Sequence, residues 1–255
     1  RLETLDVRAG ADMGRIYRVV PEGRPLRPVA NLDAMTTAEL AAALDTRNGT
    51  VRDTVQRLLD HRRDPAAKAP LAKVARASEH PEARAQAVAA LDVLGLLDAD
   101  ILAAALADAH PGVRREAVRV AEPRLATDAA VGAAVLKLAD DEDVRVRYQV
   151  ALSLGEWDAP EAGEALGAIA VRDGGDLWLR AAVLSSATPH ARAVLERLVA
   201  DAPPEGPPSE LIEPLIATVA GTLDRDGLAA TLALIAGEGA ERRRMGATAQ
   251  LLDAA

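Results

Sequence analysis

The chain has 255 residues and a formal net charge of −9, and 49% of its residues are hydrophobic although only 2% are aromatic. Phe and Cys are absent, so a core has to be built from Ala, Val, Leu and Ile, whose small side chains favour closely packed helices. The acidic charge argues against nucleic-acid binding. Without Cys, these residues cannot form disulfides, thiolate metal sites, Cys nucleophiles or covalent c-type haem attachments.

The N-terminal residues 1–28 lack helical periodicity and contain several Gly and Pro residues. The segment MGRIYRVV at 13–20 is the most strand-like in the chain. A single strand is not stable alone, so it should pair either with 2–7 or with a sheet outside this chain. We therefore predict a strand remnant and linker over 1–35. Because the first residue is Arg and no signal peptide is recognisable, we expect a fragment or a processed product.

Helical patterns begin at residue 36. Thr36 and Glu39 form a capping-box pattern that predicts a helix over 37–45, paired with a second helix over 50–63. Thr50 is expected to be the N-cap of this second helix. From there one motif recurs, in which an apolar residue and Arg are followed, after two variable residues, by a small or β-branched apolar residue. Its arginines, spaced by 30 to 33 residues, are Arg52, Arg84, Arg114, Arg147 and Arg180.

Each motif continues as an amphipathic helix, because a further apolar residue follows four positions later on the same helical face. Between the motifs lie second apolar helices, predicted over 101–109 and 129–139. In two of the turns, Asp108 and Asp141 precede Arg114 and Arg147 by six residues. We expect each Asp to cap backbone N–H groups and to face the Arg that follows it. These Arg and Asp residues are predicted to be structural repeat positions.

This Asp…Val-Arg-x-x-Ala pattern resembles HEAT repeats, in the short form of the phycobilisome-lyase-like group. Ankyrin and tetratricopeptide repeats fit less well, since the ankyrin Thr-Pro-Leu-His signature and recurring aromatic residues are missing. The predicted fold is all-α, an α-solenoid of HEAT-like helix pairs with a short N-terminal β remnant. The solenoid should occupy 36–200. A Pro-rich break at 201–210 should precede a C-terminal helical cap at 211–255, with helices over 211–223, 225–236 and 240–253.

No catalytic pattern is recognisable. His61, His80, His110 and His190 have no metal-ligand spacing and are predicted to be solvated turn or helix residues. The acidic run at 140–143 lacks the spacing of a calcium loop, and acidic residues before a helix favour its dipole. We therefore expect no catalytic, cofactor-binding or metal-binding residues, and partner-binding residues are not identifiable. Trp157 and Trp178 are expected to pack between repeats, with a partner-binding role as the alternative.

Four segments in order, at 14–23, 51–59, 146–157 and 177–186, resemble the middle of planctomycete-type membrane-bound dehydrogenase or haem-binding CxxCH proteins. The resemblance implies a preceding β-propeller, a following cytochrome c domain and a periplasmic location. No CxxCH motif is present, so no cofactor is carried over to this chain, and the parent protein alone would be an oxidoreductase.

The function predicted from sequence is thus a non-catalytic interaction or spacer module within a larger periplasmic dehydrogenase-type protein. Its partners would be proteins or flanking domains, namely a propeller and a cytochrome c, with neither nucleic acid nor a membrane span. The alternatives are a HEAT-like helper of tetrapyrrole attachment and, as a third, a HEAT protein resembling DNA glycosylases.

Overall fold

The computed structural model describes residues 28–203 and 206–221, together with isolated positions at 19, 21–23, 25, 229 and 233. Two compact units can be distinguished, Arg1–Ala34 and Met35–Ala255. In the first unit, the described residues contain one short 3₁₀ helix, Leu32–Ala34. The predicted strand at 13–20 lies outside the described residues except for Val19. The predicted helix over 225–236 lies outside them except for Ala229 and Ala233, and the predicted helix over 240–253 lies outside them entirely.

The second unit is built from helices alone over its described residues, which contain twelve α-helices. Helices at odd positions in the chain are α1 Thr37–Ala42, α3 Lys68–Ala77, α5 Ala99–Leu106, α7 Ala129–Lys137, α9 Pro160–Asp173 and α11 Ala191–Asp201. Helices at even positions are α2 Gly49–Arg62, α4 Pro81–Val93, α6 Pro111–Ala121, α8 Val144–Ser153, α10 Leu177–Ser186 and α12 Ile212–Gly221. The repeated arginines all lie on even helices, from α2 to α10.

Helix starts follow from short polar side chains that accept hydrogen bonds from the first backbone N–H groups. Thr36 and Glu39 form the predicted capping box before α1. Asn48, rather than Thr50, caps α2 by accepting a hydrogen bond from the N–H of Val51 at 3.3 Å. Asp143 and Asp176 do the same for α8 and α10. The cap of α2 therefore lies two residues earlier than expected, because the Asn side chain is the one that reaches the free N–H.

The helices form two layers that run along the chain. Each odd helix from α1 to α9 packs against the next odd helix, and each even helix from α2 to α8 packs against the next even one. Within the other pairs the two helices also contact each other, whereas α7 and α8 both contact the 3₁₀ helix Leu138–Asp140 between them. The core lies between the layers. The last apolar positions of the five motifs are all buried: Leu59, Leu91, Ala121, Leu154 and Ala187. This arrangement is the α-solenoid that the repeat pattern predicts.

Glycines bring two of the odd helices close together. On α9, a Cβ at Gly163 would lie 2.9 Å from the Cβ of Ala193, and one at Gly167 would lie 2.8 Å from the Cβ of Arg197. Both distances are shorter than two carbon atoms tolerate, so the close contact of α9 with α11 requires glycine on this face. Gly132 on α7 plays a similar role, because the Trp157 ring lies over it.

Candidate functional site

A row of arginines on the even helices links each helix pair to the next. Arg84 on α4 donates from Nε and Nη2 to both carboxylate oxygens of Asp108, at 2.8 and 2.7 Å. Asp108 lies in the turn that leads into α6, one repeat further along the chain. The remaining nitrogen, Nη1, donates to the carbonyl of Ser78, in the turn before α4, at 2.8 Å. One guanidinium thus joins its own turn to the turn of the next repeat.

The same contacts recur in the next two repeats. Arg114 pairs with both oxygens of Asp141 at 2.7 and 2.8 Å and donates to the carbonyl of Asp108 at 2.9 Å. Arg147 pairs with Asp173, with 2.7 Å between Nε and Oδ2, and donates to the carbonyl of Asp141 at 2.7 Å. We call these three pairs the arginine ladder. Its central pair is well shielded from water, since the side chains of Arg114 and Asp141 are only 10% and 5% exposed.

Weaker versions of this contact stand at both ends of the ladder. Arg52 donates to the Thr46 carbonyl at 2.8 Å, and its Nε donates to Gln86. Arg52 has no carboxylate partner of the ladder type among the described residues, because Ser78 occupies the position in the turn before α4 that Asp108 occupies in the turn before α6. At the other end, Arg180 donates to the Gly174 carbonyl at 3.3 Å and to the exposed Glu210 at 2.9 Å.

The partner expected for each Asp was wrong. The carboxylates of Asp108 and Asp141 bind Arg84 and Arg114, the arginines of the preceding repeats. Towards the Arg six residues ahead, each Asp offers only its backbone carbonyl. The reason is geometric, because that Arg lies one turn inside its helix, where Nη1 reaches the preceding turn while the other nitrogens point to the neighbouring repeat. The ladder's third acid, Asp173, was not identified from sequence, since it precedes Arg180 by seven residues rather than six.

The carboxylates of Asp108 and Asp141 are held in their charged form. Burial raises the pKa of Asp108, but the hydrogen bonds from Arg84 and from the N–H of His110 outweigh it, and the pKa falls below its ordinary value. The pKa of Asp141 is likewise lowered, because Arg114 and the N–H of Asp143 outweigh the effect of burial. Hydrogen bonding by Asp141 raises the pKa of Arg114. The pairs Arg84–Asp108 and Arg114–Asp141 therefore stay doubly charged over the physiological range.

An apolar patch lies beside the ladder at the starts of α8 and α10. Val144 and Leu177 are the first residues of these helices and occupy the same repeat position, three residues before Arg147 and Arg180. Leu177 is 64% exposed and Trp178 is 68% exposed. The expectation that Trp178 packs between repeats was wrong, whereas Trp157 does pack on Gly132. We call Val144, Leu177 and Trp178 the edge patch.

Acidic side chains surround the edge patch. Asp140 and Glu142, in the turn before α8, are both 88% exposed, and Glu210 is also exposed. The nearby cations are occupied, since Arg145 pairs with Asp143 at 2.7 Å and Arg172 lies 3.8 Å from Asp140. The acidic run at 140–143 thus divides into the ladder residue Asp141, the helix cap Asp143 and two exposed carboxylates. The hydrogen bond from Arg145 lowers the pKa of Asp143 to about 2.

Three of the four histidines are partly or fully solvated, and one is not. His61 and His110 are exposed and His80 is half-buried. His190 is only 4% exposed, so its predicted solvation was wrong. Its ring is buried because it reaches from the start of α11 to the carbonyl of Leu154, at 3.0 Å from Nε2. Within the described ranges, no group of three or more His, Asp or Glu could hold a metal ion, and none of the helices there is long and apolar enough to cross a membrane.

These features define the class: the described part of the second unit is an α-solenoid made of repeated helix pairs. Residues 99–188 match the family model of HEAT repeats, which confirms the predicted repeat type over that region. No curated protein matches the chain in sequence.

Two solved structures are similar to the chain at low identity. The chain is similar to a designed armadillo repeat protein, with 16% identity and a TM-score of 0.42 over 81% of this chain and 99% of that one. It is also similar to the complex of CpcE and CpcF of phycocyanin lyase from Nostoc sp. PCC7120, with 16% identity and a TM-score of 0.36 over 87% of this chain and 98% of that one. At this identity both likenesses concern the fold alone.

Proposed function

We propose that the chain is a non-catalytic protein-interaction and spacer module. The arginine ladder carries this proposal, because three shielded, two-bonded ion pairs each join one turn to the next along a single edge. Two-bonded Arg–carboxylate contacts fix orientation as well as distance. A stack of repeats linked in this way holds whatever is attached to it at a set separation and presents a binding surface of constant shape.

The binding surface we propose is the edge patch. Exposed Trp side chains are over-represented among the residues that dominate protein–protein affinity. The exposed acidic residues beside the edge patch, among them Glu142 in the turn before Val144 and Glu210, which binds Arg180, favour a partner of opposite charge. The occupant we propose is a protein segment that carries both apolar and basic side chains, with a cation stacked on the Trp178 ring.

A peptide of alternating Leu and Arg residues tests this binding mode. Titrated against the intact chain, it should move the Trp fluorescence emission and bind with a measurable Kd. Replacing Trp178 by Ala should weaken binding by about thirtyfold, the loss of roughly 2 kcal/mol typical of a dominant interface residue. Val93→Ala is the matched control, since Val93 is an exposed apolar residue at the far end of α4. Equal Kd values for Trp178→Ala and the unaltered chain would refute the edge patch as the site.

Catalysis is tested separately. The isolated chain should show no turnover of sugars or alcohols with an electron acceptor, and any such turnover would contradict the proposal.

A position between a β-propeller and a cytochrome c domain in a periplasmic dehydrogenase-type protein is a further part of the proposal, and it rests on the sequence resemblance alone. The intact mass of the native gene product tests it. A mass well above 26.6 kDa with a haem absorbance band would support this arrangement, and a mass near that value would contradict it.

A further inference from the structure

A groove of about 910 Å³ lies between the start of α9 and the length of α11. It does not belong to the edge patch. The edge patch lies at the start of α10, after the C-terminal end of α9, and the fourteen residues of α9 span about 20 Å. The groove and the edge patch are therefore at opposite ends of this helix, and a ligand in the groove would be additional to the partner proposed above.

The groove contains a buried hydrogen-bond acceptor. His190, which lines it, is only 4% exposed. Its Nε2 lies 3.0 Å from the carbonyl of Leu154, and because a carbonyl can only accept, Nε2 carries the hydrogen. In this tautomer Nδ1 keeps its lone pair as an acceptor, and none of the described residues donates a hydrogen bond to it. A buried polar atom that lacks a partner is uncommon and calls for an explanation.

The residue of α9 beside this nitrogen atom is a glycine, which has no side chain to cover it. Gly163 on α9 also lines the groove, and a Cβ at this position would lie 3.2 Å from Nδ1 of His190. Any larger residue would therefore press against the acceptor atom.

The charges in the groove favour a cation. Arg192 and Arg197 are each paired within their own helix, with Glu196 at 2.8 Å and Asp201 at 2.7 Å. Asp158 and Glu164 also line the groove and are exposed, and neither forms an ion pair with another described residue. Two uncompensated carboxylates and one bare imidazole nitrogen are all acceptors. Together they suit a ligand that brings positive charge and N–H donors.

We propose that the groove between α9 and α11 binds the guanidinium or primary ammonium group of an organic cation, with His190 Nδ1 accepting one N–H and Asp158 and Glu164 supplying the opposite charge. A metal ion fits less well, because these groups do not lie close enough together for shared coordination within the described residues. An anion at the two helix starts would be repelled by the same carboxylates.

Nitrogen-15 NMR of the histidine rings in the intact chain tests the proposal. The probes are butylguanidinium and butylammonium at constant pH, with tetramethylammonium as a cation that has no N–H donor. We expect at least one of the first two to shift the Nδ1 resonance of His190 while Nε2 stays in place. Tetramethylammonium should leave both unchanged. No Nδ1 shift with either probe at millimolar concentration, or an equal shift with tetramethylammonium, would overturn the proposal.

Substitutions at exposed positions test the site without disturbing the folded core. Asp158→Asn and Glu164→Gln should each weaken binding by about fivefold, the upper value for an exposed ion pair. Glu161→Gln is the matched control, because Glu161 is exposed on α9 and does not line the groove. Unchanged affinity in the Asp158→Asn, Glu164→Gln double variant would also overturn the proposal.

The source of the cation is resolved by a second comparison. A blocked Gly-Arg-Gly tripeptide that binds more tightly than butylguanidinium identifies the ligand as an arginine side chain within a protein. Tighter binding of free butylguanidinium identifies a small molecule. Trp178→Ala should leave both affinities unchanged, which separates this site from the edge patch.

Discussion

Single residues decide the contacts between repeats. A shielded ion pair adds little compared with an apolar pair of the same size, but removal of one partner leaves the other charge buried and uncompensated. The ladder therefore contributes mainly to the specificity of stacking. Each carboxylate of the ladder binds a single arginine. The Nη1 of that arginine also donates to a backbone carbonyl in the turn before its own helix.

The central pair allows a direct test. Arg114→Ala leaves Asp141 buried without its partner and should lower the free energy of unfolding by about 3–5 kcal/mol. Arg115→Ala, the exposed neighbour on the same helix, should change it by less than about 0.5 kcal/mol. Urea unfolding followed by circular dichroism measures both. Similar unfolding midpoints for the two variants would show that the ladder does not hold the repeats.

The same pair predicts a pH dependence. The pKa of Asp141 in the folded chain is lowered from its ordinary value of 3.8, so its stabilising contribution is complete above that value and disappears as the pH falls below it. Asp141→Asn should therefore be less stable than the unaltered chain by about 2 kcal/mol at pH 7. This difference should shrink as the pH is lowered from 4 towards 2. Urea unfolding midpoints of both proteins across this pH range test the prediction. A stability difference that stays constant with pH would show that the charge of Asp141 is not what stabilises the fold.

At the scale of elements, glycines set how closely neighbouring helices of one layer approach. Gly155, in the 3₁₀ helix Leu154–Glu156 that follows α8, lies against α10. A Cβ there would be 2.7 Å from Ser186 Oγ and 2.9 Å from Ser186 Cα. Ser186 has no room to yield, because it is buried and its hydroxyl donates to the carbonyl of Leu152.

Gly155→Ala should accordingly destabilise the chain by about 2 kcal/mol through overpacking. Gly175→Ala is the control, since a Cβ at Gly175 meets nothing within 4 Å, and its effect should stay within about 0.5 kcal/mol. Differential scanning calorimetry compares the two melting temperatures. If both substitutions have the same effect, the close contact between α8 and α10 is not limiting.

At the scale of the whole molecule, the solenoid is close to one-dimensional, because each helix pair contacts mainly its neighbours. Repeats of this kind can be removed singly if their register is kept. Asp108 and Asp141 occupy equivalent positions, 33 residues apart.

Deletion of residues 108–140 joins Ala107 to Asp141 and brings Arg84 opposite a new but equivalent carboxylate. The shortened chain should fold, with the same helical signal per residue and a lower unfolding free energy. Deletion of 108–135 has the same start but shifts the register, and it should yield a protein without cooperative unfolding. Circular dichroism during thermal unfolding distinguishes the two, and equal cooperativity would argue against a repeat register set by the ladder.

The sequence by itself determined the helices and their pairing. Apolar residues at intervals of four define each buried stripe, such as Val55 with Leu59, and the recurring Arg gives the length of the repeat. The first signal is local, because helical periodicity depends on residues within a few positions of each other. The second is a spacing along the chain, which can be read without knowing which side chains meet. The wider proposal of flanking domains rests on resemblance and stays a prediction.

Only the tertiary structure decided which side chains meet. Arg114 binds an acid 27 residues ahead rather than the one six residues behind it, since stacking sets the direction of its guanidinium. His190 is buried and Trp178 is exposed, although neither local pattern indicates it. Their environments depend on where neighbouring repeats end, and that is a property of the packed solenoid rather than of any single helix.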